Sequence, residues 1–121
     1  MNIQLTTLLE PTEVSATAGG AQLYHNGTGQ SVLLQKVTFT NNTSATTNAL
    51  SVWWLPSGTA ATSAAFLVVN AVNVSPKGPT NDGVYEAICL EGHILAPGDS
   101  IWAQAANASQ IVAAMSGSLI S

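Results

Sequence analysis

The chain has 121 residues, 46% of them hydrophobic and only 7% charged, with a formal net charge of −4. That length holds a single domain, residues 1–121, with one core. Two lysines without an arginine give no basic field for nucleic acid or for an anionic membrane surface, and so apolar a chain is not disordered.

So little charge offers weak protection against association, so the composition favours a protein that lives packed against other subunits over a neutral, Ser/Thr-rich β-domain that is simply soluble. The opening MNIQLTTLLEPTEV lacks the basic region and long apolar run of a secretory signal, and no stretch approaches the roughly 18 residues of a membrane span.

In chain order, Asn2–Leu9 is β-compatible and expected to stop before Pro11, with residues 1–9 forming an N-terminal arm or an edge strand. Glu13–Thr17 and Ala21–Tyr24 flank the turn signal Gly19-Gly20. Ser31–Thr40 is the clearest strand, with Leu33, Val37 and Phe39 on one face and Lys36, Thr38 and Thr40 on the other. The polar stretch Asn41–Asn48 leads into Ala49–Leu55, and the two long strands are expected to form a hairpin.

Pro56-Ser57-Gly58 opens a small-residue loop whose Ala-rich end suits a short helix before the strand Ala65–Val74. Ser75–Gly83 is the largest loop. Val84–Leu90 reads as a strand, with Cys89, the single cysteine, expected inside it as a small buried hydrophobe. Ala96–Ser100 reads as a tight turn, since Pro97 presets its first corner and Gly98 permits positive φ at the second. Ile101–Ala106 and Ile111–Ile120 complete the chain. The sum is an all-β fold, an antiparallel β-sandwich of about eight short strands, with a jelly roll as one form it can take.

Successive residues of a strand point to opposite faces, so Trp53 and Trp54 cannot enter the same core. Trp54 is expected inside with Leu50 and Val52, and Trp53 outside with Ser51 and Leu55. Trp53, Leu55, Trp102 and Tyr24 are the candidates for a subunit interface. The aromatics Trp53, Trp54, Trp102, Tyr24 and Tyr85 also admit a glycan platform, with Asn48 or Gln104 beside it.

Reactive groups are sparse. A Cys89–His93–Asp99 nucleophile has no family signature around it. Glu91 and His93 have a zinc-compatible spacing without a third ligand nearby, and Asn81, Asp82 and Glu86 only loosely suggest a calcium loop. His25, beside Asn26-Gly27, is expected to be solvated. The reading is a protein without catalytic residues, metal or cofactor. The N-x-S/T matches at Asn26, Asn41, Asn42, Asn73 and Asn107 follow from composition and are expected to be unglycosylated.

Two blocks, LYHNGTGQSVLLQKVTFTNNTSATTNALSVWWLPSG (Leu23–Gly58) and ILAPGDSIWAQAANASQIVAAMSG (Ile94–Gly117), together resemble small β-sandwich structural proteins of tailed bacteriophages. Those occur as head decoration or cement subunits and as small tail or fibre-associated proteins. The resemblance implies a non-enzymatic virion protein assembled in a bacterial cytoplasm, in the first place a capsid decoration subunit. Such a subunit would act as a homodimer or homotrimer bound to the major capsid protein. A tail, collar or fibre-associated protein is the runner-up, and a carbohydrate-binding module with an exposed tryptophan is the reading from another class. The chain departs from the pattern in the sparse charge of its D-S-I-x-A strand, where Trp102 takes the variable position, and in the long Ser75–Gly83 loop.

Overall fold

A computed structural model describes residues 3–43, 46–59, 64–79 and 81–120. The first two residues of the expected arm, the centre of the Asn41–Asn48 turn, the middle of the small-residue loop and Thr80 lie outside these. The described residues form nine strands in order: β1 (Ile3–Glu13), β2 (Ala21–His25), β3 (Ser31–Asn41), β4 (Asn48–Leu55), β5 (Leu67–Val74), β6 (Val84–Glu86), β7 (Ile94–Leu95), β8 (Ser100–Ala105) and β9 (Ile111–Ile120). One turn of 3-10 helix, Ala64–Phe66, precedes β5 where the Ala-rich run suggested a short helix.

The strands form a five-stranded sheet in the order β1-β9-β3-β6, with β7 also on β3, and a four-stranded sheet in the order β2-β8-β4-β5. All pairings are antiparallel. The pairs β1·β9, β2·β8, β3·β6 and β4·β5 nest inside one another, so the chain is one long hairpin, its tip between β4 and β5, rolled into two layers. That is the winding of a jelly roll. Nesting overturns one expectation: β3 and β4 do not form a hairpin, because the chain crosses from one sheet to the other between them.

The core lies between the sheets, with Val32, Leu34, Val37 and Phe39 of β3, Leu50 and Val52 of β4, and Ile101, Ala103 and Ala105 of β8 all buried. The expected face pattern of β3 is half right. A register shift between Leu34 and Lys36 inserts one residue, so the inward row is Val32 and Leu34 before the bulge and Val37 and Phe39 after it. Leu33 therefore points outward. Glu91 fills the bulge, accepting the Val37 N–H at 3.1 Å.

β1 continues through Pro11 to Glu13 rather than stopping before it. Proline is tolerated because β1 is an edge strand with a register shift between Leu9 and Thr12. The N-terminal segment from Ile3 thus pairs within its own domain.

The strand expected over Val84–Leu90 ends at Glu86. Bonds from Leu90 N to Ala87 O and from Glu91 N to Ile88 O turn the chain instead. Cys89 is consequently exposed, not buried. Hydrophobicity placed it inside, but the turn lifts it and Ile88, 71% exposed, off the sheet.

Candidate interaction surfaces

None of the four strands of the second sheet, β2, β4, β5 and β8, contains an aspartate, glutamate, lysine or arginine. Inward residues of β8 alternate with half-buried outward ones, Trp102 and Gln104. Trp102 stands directly opposite Trp53 of β4, and Gln104 opposite Ser51. The two indoles therefore lie side by side on the outer face, away from the core cluster. Trp102 Nε1 donates to Ser100 Oγ at 3.1 Å. The Trp53 ring reaches the turn before β2: a Cβ at Gly20, whose φ is +78°, would sit 3.1 Å from Trp53 Cζ3 and 2.9 Å from the Ala103 carbonyl. Only glycine combines that conformation with that approach.

Trp54 turns inward and packs against the core. Its Nε1 donates to Asp99 Oδ2 at 3.3 Å, and its ring meets His93 edge-on at 5.4 Å. Asp99 belongs to the Ala96–Asp99 turn, in which Asp99 N bonds Ala96 O and Gly98 has φ +90°, as the Pro-Gly spacing predicts. Its carboxylate also accepts the Ser57 and Ala96 N–H groups at 3.0 and 3.1 Å. The APGDS motif thereby clamps the end of β4 to the start of β8.

Two of the interface candidates do not lie on the tryptophan face. Leu55 is 1% exposed: it ends β4 opposite buried Ser100, where the chain folds back into the turn tied to Asp99, and its own chain covers it. A register shift between Gln22 and Tyr24 brings Tyr24 level with buried Ile101, so Tyr24 packs on the core and burial raises its phenol pKa. Simple alternation missed both, since neither a bulge nor a strand end is visible in it.

The residues weighed for chemistry are each engaged by the fold, His93 and Asp99 through the same Trp54. His93 packs on Trp54, Asp99 holds the turn, and Cys89 Sγ lies 3.8 Å from the Val68 carbonyl. Glu91 and His93 sit on a turn, not on one strand face. Asn81 and Asp82 each accept a backbone N–H two residues on, at 2.8 and 3.1 Å, and Glu86 pairs with Lys36 at 2.8 Å. Among the described residues no three His, Cys, Asp or Glu side chains are grouped to hold a metal ion, and no helix is long and apolar enough to cross a membrane.

Two N-x-T motifs prove to be turn plugs. Buried Asn26 donates to the carbonyls of Gln30, Leu95 and Ala96 while Oδ1 accepts from Thr28. Buried Asn41 donates to Thr46 O and Val74 O while Oδ1 accepts from Thr43. With their amides so engaged, neither asparagine is open to glycosylation in the folded chain.

A second apolar surface, unnoticed in the sequence, lies on the outer face of the first sheet. Leu5 of β1 pairs with Ser118 of β9, Ser118 with Leu33 of β3, and Leu33 with Ile94 of β7. Beside this rung stand Ile3 and its partner Ile120. Leu5, Ile3 and Ile94 are 73%, 59% and 53% exposed. Ser118 is 1% exposed and donates to Gln35 Oε1 at 3.2 Å, so the polar group within the rung is satisfied and covered. The bulge that turns Leu33 outward completes the stripe.

No family model, no curated protein and no solved structure matches this chain.

Proposed function

We propose that the chain is a non-enzymatic structural subunit of a bacteriophage virion, in the first place a capsid decoration or cement protein that works as a homo-oligomer on the head shell. One observation carries the reading: the charge-free second sheet presents Trp53 and Trp102 side by side on its outer face. Large aromatics surrounded by small neutral side chains anchor protein contacts well, and they do so with little dependence on salt. The jelly-roll winding is compatible, since capsid proteins use it, though lectins and cupins use it too. Binding only to the assembled lattice would stabilise that lattice by mass action.

The same tryptophan pair favours a second reading. Two indoles flanked by Gln104, Ser51 and Gln22 offer ring faces and amides to a glycan. Mass-spectrometric counting of the chain in separated heads and tails of the encoding phage decides among the readings. Copies in proportion to the major capsid protein are expected in heads. Copies in tails alone move the subunit to the tail or collar. Absence from both overturns the structural reading and leaves the glycan site to be titrated by tryptophan fluorescence.

A further inference from the structure

Each sheet has two edges, and three of the four are blunted. At one edge of the first sheet β6 and β7 are three and two residues long. In the second sheet β2 has five residues and a register shift, while β5 carries two shifts with Ala71 at φ +49°. Short, bulged edges resist pairing with other chains. The remaining edge, β1, is eleven residues long, carries its two register shifts only beyond Thr7, and among the described residues has a neighbouring strand on one side only. From Ile3 to Thr7 its pairing to β9 is regular, and Ile3–Leu9 contains no charge and no proline. Its protective residues, Glu10, Pro11 and Glu13, all follow that run.

We infer that the Ile3–Thr7 edge of β1 pairs antiparallel with the same edge of a second copy across a twofold axis near Leu5. This extends the reading of the chain as a self-associating subunit and identifies the surface used. A twofold contact must be self-complementary, and this edge is. Keeping the outward side chains on one face places Leu5 beside its twin and Ile3 beside the partner's Thr7. The Leu5–Leu33–Ile94 stripes of the two copies then join into one apolar band. Charge distribution fixes the register further: with Leu5 at the axis, Glu10 and Glu13 fall beyond the partner's Ile3, so no like charges oppose each other. Any register sliding toward Glu10 would bring carboxylates closer across the axis. A standard interface takes about 800 Å² from each partner, roughly an eighth of the 6116 Å² this chain exposes. A short edge offers less, so the free dimer is weak and concentration-dependent.

Sedimentation equilibrium of the full chain up to about 1 mM tests this, with four variants. A reversible dimer is expected, weakened at least about tenfold by Leu5→Lys and unchanged by Ile88→Lys, which alters an equally exposed apolar residue far from β1. In a Cys89→Ser background, Leu5→Cys is expected to form a disulfide-linked dimer under mild oxidation, because paired antiparallel positions lie within disulfide reach, and Ile94→Cys is not. A monomer throughout the range, or a dimer indifferent to Leu5→Lys, overturns the inference. Neither result touches the virion assignment, which the count in heads and tails decides independently.

Discussion

Replacing Asp99 tests whether the APGDS turn is a structural clamp. Its carboxylate accepts three hydrogen bonds, from Trp54 Nε1, Ala96 N and Ser57 N, at 3.3, 3.1 and 3.0 Å, and the residue is 9% exposed. Bonds to a charged acceptor contribute about 1.5–3 kcal/mol each, and orphaned donors add their desolvation cost. The Trp54 bond is long, and water can reach part of the site, so Asp99→Ala is expected to cost about 3–5 kcal/mol. For a chain of this size that lowers Tm by roughly 12–20 °C. Asp99→Asn keeps one acceptor oxygen and should cost about half as much. Thermal and urea unfolding followed by near-ultraviolet circular dichroism measures both. Combining Asp99→Ala with Trp54→Phe isolates the indole bond, whose coupling should be about 1 kcal/mol. A loss under about 0.5 kcal/mol for Asp99→Ala, the range of ordinary surface changes, would refute the clamp.

Gly20→Ala should cost about 1–3 kcal/mol in urea unfolding, since the added methyl meets the Ala103 carbonyl at positive φ. Asn26→Ala removes donors to three carbonyls and should cost about 2–3 kcal/mol, whereas the same change at exposed Asn73 should stay within about 0.5 kcal/mol. Trp53→Ala and Trp102→Ala should each leave the chain folded by circular dichroism while abolishing binding to heads, and retained binding in both would remove that face from the account. The Lys36 ammonium bonds Glu86 and holds its carboxyl below the ordinary 4.5, with a further lowering from Glu91, while Glu86 raises Lys36 above 10.5. The pair's stabilisation is therefore present between those limits. It is lost as pH falls through the depressed carboxyl value or rises through the elevated lysine value. Carbon-detected NMR titration should find the Glu86 transition moved back upward in Lys36→Met.

The layer architecture was legible because alternation in Ser31–Thr40, Ala49–Leu55 and Ile101–Ala106 is strong and turn residues separate the runs. Alternation also parted Trp53 from Trp54. What it did not carry was the effect of one inserted residue. The bulge between Leu34 and Lys36 moved Leu33 outward, and the one between Gln22 and Tyr24 moved Tyr24 inward; neither has a glycine to announce it. Sheet membership was equally hidden. A polar connection such as Asn41–Asn48 joins two strands whether they pair or cross between layers, and only the nested long-range pairing of β1 with β9 and β2 with β8 decides. The candidate surface followed the same division. Trp102 was singled out as aromatic, but its place beside Trp53 is a property of the β4–β8 register. The stripe from Leu5 to Ile94 joins residues from opposite ends of the chain.

The most direct test of the account is co-sedimentation of the purified protein with heads stripped of it, at low and at high salt. Saturable binding, little changed between the two salt concentrations and accompanied by greater resistance of the heads to heat, is the predicted result. It follows from a contact made by an uncharged sheet face and its tryptophans. No binding, or binding that collapses as salt is raised, would contradict it.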